Sequence, residues 1–258
     1  MLSKEEFQAH VDSGFNIIPV VEDLPIENQT PLTLYSQVSK KNNTFLLESV
    51  EGGDRWSQYS IIGFNCSDTI KVTGNLVELN NGNKLTSITS DDPLGEIQKI
   101  TSSFKSPNMI DLPRFHGGYV GFFAYESARY AEKRISDLSF KESKFNKHMP
   151  EIFLVKAEQL VVYDNFNNSA QVIFNADPAK HSYDVVKERI NEMKAYFSPS
   201  SNLEELKFKE PKGSMHFESN FKKEEYLDAV NTIKNYIKEG DVFQVVLCLL
   251  YTSPSPRD

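Results

Sequence analysis

Two segments of this chain carry side chains whose types and spacing could bind or transform a small molecule. The first runs from Phe45 to Ser49, an apolar stretch that ends in Glu48 and Ser49, and a glycine loop leads from it to Arg55 and Trp56. A carboxylate and a hydroxyl at a strand end can hold an ammonium group, and a nearby aromatic ring can bury an apolar body. The segment therefore predicts a small-molecule pocket. A plain strand, loop and strand with Trp56 in the core is the alternative.

The second segment runs from Gly240 to Leu247 and carries Gln244. A glycine at this position suits the left-handed residue that ends a helix, and the apolar residues after it predict a buried strand. A neutral amide can donate and accept hydrogen bonds but cannot serve as a general base. Gln244 is therefore either a polar residue near a reacting centre or an amide satisfied by the backbone of its strand.

A third motif, from His116 to Tyr130, is rich in glycine and aromatic residues. Its glycines run into an apolar strand and not into a helix N-terminus, which argues against a phosphate loop. They predict close backbone packing on a central strand. Glu126 and Arg129 are three residues apart and could pair on a helical turn.

Composition excludes several classes of function. The chain has 258 residues and a net charge of -8, which argues against nucleic acid and anionic membrane surfaces as partners. No apolar run approaches the roughly 20 residues of a membrane helix, and the first residues do not form a signal peptide. The histidines lack metal-ligand spacing. The second cysteine, Cys248, lies among the last eleven residues, which we expect to be a non-native tail, so Cys66 has no internal disulfide partner. We therefore expect Cys66 to be a small buried thiol and the protein to work in a reducing cytoplasm.

The elements that would position these residues follow from caps, turns and periodicity. Helix N-caps are expected at Ser3, Thr30 and Asp92, the last two before a proline. Hairpin turns are expected at Gly74, Asn81-Gly82 and Asp164-Asn165. Further strands are expected at 16–21, 44–49, 59–65, 117–125 and 152–163, and helices at about 185–193 and 223–239. The fold class that this order predicts is α+β, with antiparallel sheets and flanking helices.

Three segments resemble one known family. Residues 46–63, 116–130 and 221–247 resemble, in order, motifs of the large subunit of anthranilate synthase (component I), in the chorismate-utilising enzyme superfamily. In that family the first motif helps to form the pocket for the feedback inhibitor tryptophan. The resemblance implies that Glu48 meets the amino group of tryptophan, that Ser49 lies in the pocket wall and that Arg55 is a further contact.

The resemblance also gives Gln244 a meaning. In isochorismate and salicylate synthases, relatives on the same fold, a lysine occupies the equivalent place and activates water. A desolvated lysine can take up a proton, whereas an amide cannot. Gln244 therefore implies a branch that uses ammonia as the nucleophile, with this residue near the active site.

The implied enzyme is a lyase of tryptophan biosynthesis. It converts chorismate and ammonia, released from glutamine by a separate amidotransferase subunit, into anthranilate and pyruvate. A Mg²⁺ ion would bind the substrate carboxylate through ligands expected beyond Leu247, so we expect this chain alone to be inactive. Aminodeoxychorismate synthase component I is an alternative within the superfamily, and a non-catalytic amino-acid-binding module is an alternative of another class.

The domain organisation expected from the resemblance has four parts. Residues 1–197 would form an N-terminal regulatory, tryptophan-binding domain, and 198–219 a linker. Residues 220–247 would begin the chorismate-binding catalytic domain. Residues 248–258 match the translation of a transposon-end adapter used in sequencing libraries, so we expect a non-native tail there.

Overall fold

The computed structural model describes residues 2–48, 58–82, 84–109, 112–132, 149–197 and 222–247. The described chain contains antiparallel sheets and flanking helices, so the predicted α+β class is confirmed. Two compact units divide the chain at residues 206 and 207, and each is described by itself. The domain boundaries expected from sequence stay predictions, and the expected linker and tail lie outside the described residues.

The elements have the following bounds. The described helices are α1 (Lys4–Asp12), α2 (Pro31–Val38), α3 (Pro93–Ser102), α4 (Ala128–Ala131), α5 (Tyr183–Tyr196) and α6 (Lys223–Glu239). The described strands are β1 (Ile18–Leu24), β2 (Phe45–Leu47), β3 (Tyr59–Phe64), β4 (Asp68–Thr73), β5 (Leu76–Asn81), β6 (Leu85–Thr89), β7 (Tyr119–Phe123), β8 (Ile152–Lys156), β9 (Gln159–Asp164) and β10 (Ser169–Ala176).

Three helices begin at the predicted caps. The hydroxyl of Ser3 accepts the N–H of Glu6, and the carboxylate of Glu6 accepts the N–H of Ser3. Asp92 accepts the N–H of Gly95 at 2.9 Å, and Thr30 caps α2 in the same way. Each cap satisfies a donor that the first helical turn would otherwise leave without a partner. Local chemistry thus decides where α1, α2 and α3 start.

The first sheet has the strand order β1-β10-β9-β3-β2, and each neighbouring pair is antiparallel. The hairpin between β9 and β10 turns after Asp164, as predicted. Helices α1, α2 and α5 pack on one face of this sheet and enclose the larger core. Its fully buried members include Ile18, Leu34, Phe64, Phe174, Ile190 and Met193.

The second sheet has the order β6-β5-β4-β8-β7 and is also antiparallel. Gly74 and Gly82 take positive φ angles of 59° and 79° in its hairpin turns, where the sequence places them. Helix α3 packs on this sheet. The core between them comprises Ile70, Val72, Val77, Ile97, Ile152 and Leu154.

The prediction of one strand from Ile152 to Tyr163 is wrong, because the chain changes sheet at Ala157. The Ala157 N–H donates to the carbonyl of Gly118 at 2.8 Å, on the β7 side. One residue later, the Glu158 carbonyl accepts the N–H of Asn175 at 2.9 Å, on the β10 side. Strand β8 therefore belongs to the second sheet and β9 to the first.

In the second unit, α6 ends at Gly240, whose φ of 82° confirms the predicted left-handed position. None of the α6 residues is buried within the described chain. The strand predicted after Gly240 is wrong, because residues 241–247 form no strand and Val246 is 82% exposed. A strand needs a neighbour for its backbone groups, and the described residues of this unit supply none.

Candidate functional site

Glu48 directly follows β2, the outermost strand of the first sheet as described, and its side chain is exposed. Leu47 pairs with Ile61 on β3. A Cβ at Gly63 would overlap the ring of Phe45, so this glycine lets β2 lie close against β3. These contacts fix the point at which Glu48 leaves the sheet.

Of the three residues expected to contact tryptophan, the structure describes one. Ser49 and Arg55 lie outside the described residues, as does Trp56. A pocket that contains Glu48, Ser49 and Arg55 therefore stays a prediction, with Glu48 placed at an exposed sheet end.

The same end of the first sheet carries the carboxylate of Asp164, at the end of β9. It accepts the backbone N–H groups of Phe166 and Asn167 at 2.9 Å each, and the side-chain amide of Gln58 at 3.2 Å. Desolvation raises the pKa of Asp164, but the hydrogen bonds from Asn167, Gln58 and Phe166 outweigh it and hold this pKa below its ordinary value. The Asp164 carboxylate is thus occupied by hydrogen bonds within its turn. Of the two carboxylates, that of Glu48 is the more available to a ligand.

Gln244 lies in the second unit, four residues after Gly240, and its side chain is exposed. Phe243 beside it is 93% exposed. The predicted buried position is therefore wrong for the described chain, since no described strand covers this segment. A role for Gln244 near an active site stays a prediction.

Gly117 and Gly121 of the third motif pack closely, as predicted. A Cβ at Gly121 would overlap the backbone carbonyl of Phe153 on β8, and a Cβ at Gly117 would lie 2.8 Å from Nδ2 of Asn175. The expectation of a central strand is wrong, because β7 is the outermost strand of the second sheet as described. Phe123 on this strand is 54% exposed.

Arg129 pairs with the carboxylate of Glu151, whereas the sequence suggested Glu126 as its partner. The Glu151 carboxylate also accepts from Tyr130 and from the N–H of Gly74. Burial raises the pKa of Tyr130 to about 12, and the hydrogen bond to Glu151 adds to the shift. The cluster ties α4 to the β4–β5 turn and is a structural feature.

A second candidate site lies where the chain changes sheet. Here a cavity of about 230 Å³, which we call the Lys156 pocket, opens between the two sheets. It is lined by Ile17, Phe104, Ser106, Arg114, His116, Gly117, Gly118, Tyr119, Lys156, Ala157 and Asn175. Two basic side chains and no acidic side chain are among these residues, so the pocket suits a small anion.

Asn175 lines the pocket with an amide side chain that is almost fully buried, since the residue is 2% exposed. Its Nδ2 donates to the carbonyls of His116 and Ala157, at 2.9 and 3.0 Å. Two carbonyl acceptors at one end of the amide fix its orientation. Its Oδ1 is buried and has no hydrogen-bond partner among the described residues, which is an uncommon state for a buried polar atom.

Sequence patterns did not reveal the Lys156 pocket. Arg114, Lys156 and Asn175 are far apart in the chain, so no spacing connects them. Gly117 and Gly118 were recognised as a motif, but for their packing. The one sign of the pocket in the sequence is that two polar residues, Lys156 and Asn175, lie among apolar strand residues.

Two other predictions concern reactivity. Cys66 is fully buried at the end of β3, as expected, and burial, with a smaller contribution from Glu158, raises its pKa to about 12. A protonated thiol is a poor nucleophile.

Among the described residues, no group of three or more histidine, cysteine, aspartate or glutamate side chains could hold a metal ion. No helix in the described ranges is long and apolar enough to cross a bilayer.

Comparison with known sequences gives a consistent match. A family described as chorismate binding enzyme matches residues 42–258. The chain is 35% identical over 249 residues to anthranilate synthase component 1 of Neisseria meningitidis serogroup B, covering 95% of this chain and 50% of that protein. The corresponding protein of Pseudomonas aeruginosa is 33% identical over 253 residues, with the same shares covered. The chain thus spans about half the length of the curated relatives it matches.

Comparison with solved structures supports the fold. The crystal structure of anthranilate synthase component I from Streptococcus pneumoniae superposes with a TM-score of 0.55 and 20% sequence identity. The match covers 84% of this chain and 45% of that one. At this identity the likeness concerns the fold alone.

Proposed function

The chain belongs to the chorismate-binding enzyme family, and from this premise we propose that it is the N-terminal part of an anthranilate synthase large subunit. The whole enzyme converts chorismate and ammonia into anthranilate and pyruvate, in tryptophan biosynthesis. A glutamine amidotransferase subunit supplies the ammonia. The observation that carries the proposal is the similarity to anthranilate synthase component 1 over 95% of this chain.

The described part of the chain holds the regulatory region in this proposal. Tryptophan binds with its ammonium group on Glu48, with Ser49 in the pocket wall and Arg55 as a further contact, and inhibits the enzyme. The support is that Glu48 lies at an exposed sheet end, outside the ion pairs and hydrogen bonds found among the described residues. Since no ion pair among the described residues has to break, this carboxylate is open to an incoming ammonium group.

Magnesium belongs to the remainder of the enzyme in this proposal. The described residues do not fit it, because they contain no carboxylate cluster of the kind that holds a hard cation.

Gln244 lies near the site of ammonia addition in this proposal. The enzyme works in the cytoplasm. The buried, protonated Cys66 is compatible with a reducing compartment.

A chimera tests the proposal. Residues 2–247 of this chain would replace the matching half of the Neisseria meningitidis enzyme, and anthranilate fluorescence would be followed with chorismate, Mg²⁺ and ammonium. We expect activity that tryptophan inhibits, and no activity from the 258-residue chain alone. Anthranilate formed by the chain alone would contradict its assignment as a part of the enzyme.

Two variants of the chimera test the regulatory site. Glu48→Gln keeps the shape and removes the charge, so inhibition should weaken by about tenfold or more while basal activity persists. Glu188→Gln is the matched control, an exposed glutamate on α5. Equal inhibition constants for both variants would remove Glu48 from the tryptophan site.

A further inference from the structure

We propose that the Lys156 pocket binds a small aromatic carboxylate that carries one hydrogen-bond donor. The proposal does not rest on the proposed function, because the pocket is separate from Glu48. Glu48 lies at the end of the first sheet where β9 stops, whereas the pocket lies where β9 begins, next to Ala157. The two sites can therefore be tested independently.

The charge of the pocket selects an anion. Lys156 is 7% exposed, and its Nζ forms an ion pair with Oδ2 of Asp68 at 3.9 Å, a distance too long for a hydrogen bond. The same Nζ lies 5.0 Å from the ring centroid of Phe104. The Asp68 carboxylate lines a neighbouring cavity and not this one. A buried ammonium is costly unless it is paired and hydrogen-bonded. Asp68 supplies the opposite charge but no hydrogen bond, and an anion that enters between Lys156 and Arg114 would supply that hydrogen bond.

The orphan acceptor of Asn175 selects a donor on the ligand. Both hydrogens of its Nδ2 are used by the carbonyls of His116 and Ala157, so the amide cannot turn over to satisfy Oδ1. The nearby ring of His116 places its Nδ1 3.0 Å from the Pro113 carbonyl, which makes Nδ1 the protonated nitrogen. A hydroxyl or amine on the ligand would meet Oδ1, and the loss of that group would leave it unpaired again.

The walls and size of the pocket select a small ring. Phe104 and Tyr119 stand with their ring centroids 6.1 Å apart, and Ile17 and Ala157 complete an apolar lining. Flat aromatic groups pack well on such walls. The volume of about 230 Å³ is below the range of pockets for drug-sized ligands, so a single ring is the appropriate size.

Inorganic phosphate is the competing anion, and the backbone does not favour it. Phosphate sites commonly use N–H groups at a helix N-terminus. Here Gly117 and Gly118 lead into β7, and the apolar walls offer a second negative charge no further compensation. A singly charged carboxylate fits the pocket better.

The first experiment is calorimetric titration of the 258-residue chain with four probes. 3-Hydroxybenzoate should bind saturably, in the micromolar to low millimolar range. Benzoate lacks the donor and 3-hydroxybenzyl alcohol lacks the charge, so each should bind about tenfold more weakly. Absence of saturation by 3-hydroxybenzoate up to about 10 mM would overturn the proposal. Tighter binding of inorganic phosphate than of 3-hydroxybenzoate would overturn it too, as would binding of benzoate or of the alcohol as tight as that of 3-hydroxybenzoate.

The second experiment uses variants. Arg114→Gln and Lys156→Met should each weaken 3-hydroxybenzoate binding by about tenfold, the loss of one charge-assisted hydrogen bond. Arg189→Gln is the matched control, since Arg189 is exposed on α5 and pairs with Glu192. If Lys156→Met does not fold, as judged by circular dichroism, Arg114→Gln decides, because Arg114 is exposed. An unchanged dissociation constant in Arg114→Gln would refute the assignment.

Discussion

Asn175→Ala should destabilise the first unit, because the Asn175 side chain connects β10 to the segment before β7 and to the junction between β8 and β9. Its Nδ2 joins the carbonyl of His116, before β7, to the carbonyl of Ala157, between β8 and β9. Asn175 itself lies on β10, opposite Pro19 of β1. The alanine variant removes both hydrogen bonds, and it leaves the buried carbonyl of Ala157 and the partly buried carbonyl of His116 without this donor.

The expected magnitude follows from these bonds. Two lost hydrogen bonds with orphaned acceptors cost roughly 2–4 kcal/mol. Removal of Oδ1, which already lacks a partner, returns about 1 kcal/mol. The net loss in the free energy of unfolding is therefore about 2 kcal/mol, or roughly 4–8 °C in Tm for a unit of this size.

Urea unfolding followed by circular dichroism would measure the loss. Asn16→Ala is the matched control, because its amide also donates to a carbonyl, that of Ser103 at 2.8 Å, and accepts the N–H of Lys105. Asn16 is exposed, so water can replace these bonds and the loss should be below about 1 kcal/mol. Losses that agree within about 0.5 kcal/mol would refute the reasoning.

Asn175→Asp tests the direction in which stability changes with pH. The new carboxylate would face two carbonyl oxygens, so its pKa in the folded state should rise above that of the unfolded chain. The protonated acid can donate one hydrogen bond, and its contribution is lost as pH rises through the raised pKa. The variant should therefore fall further below the unchanged chain at neutral pH than at acidic pH; a deficit independent of pH would contradict this.

Three further outcomes are expected. Gly121→Ala should cost about 1–3 kcal/mol in the free energy of unfolding, because its Cβ would overlap the Phe153 carbonyl, and a loss below that range would show that β7 moves freely. Burial raises the pKa of Glu158, and the charge of Lys156 opposes this shift without cancelling it. The protonated carboxyl therefore contributes stability below the unfolded-state pKa of Glu158, and this contribution is lost as pH rises through the raised pKa of the folded state. Urea unfolding of Glu158→Gln should show a gain at about pH 7 and none at about pH 4; equal gains would contradict the shift. Strand β7 is the outermost strand of its sheet as described and exposes Phe123, so we expect its edge to pair with a second copy of the chain. Phe123→Lys should therefore reduce self-association in sedimentation experiments, and an unchanged sedimentation coefficient would contradict this pairing.

Local chemistry made part of the fold predictable. Ser3 with Glu6, and Asp92, fix helix starts through bonds that span three residues. Gly74 and Gly82 fix hairpin turns through their backbone angles. Each of these signals lies within a short stretch of sequence, so the helix starts and the hairpin turns can be predicted from sequence alone.

Features that depend on distant partners were not predictable. The apolar pattern from Ile152 to Tyr163 continues through the change of sheet, because residues on both sides are buried, and only Gly118 and Asn175 reveal the switch. The segment after Gly240 has strand composition but no described neighbour. The cations and the orphan oxygen of the Lys156 pocket meet only in the folded chain.

The pairing of β1 with β10 has a consequence for synthesis on the ribosome. Ile18 pairs with Ala176, so β1, the first strand of this sheet to be made, has no paired neighbour until β10 has been made. At about 5–20 residues per second, β1 leaves the ribosome on the order of 10 s before its partner exists. During that interval Ile18 and Val20, both fully buried in the finished protein, remain accessible to chaperones.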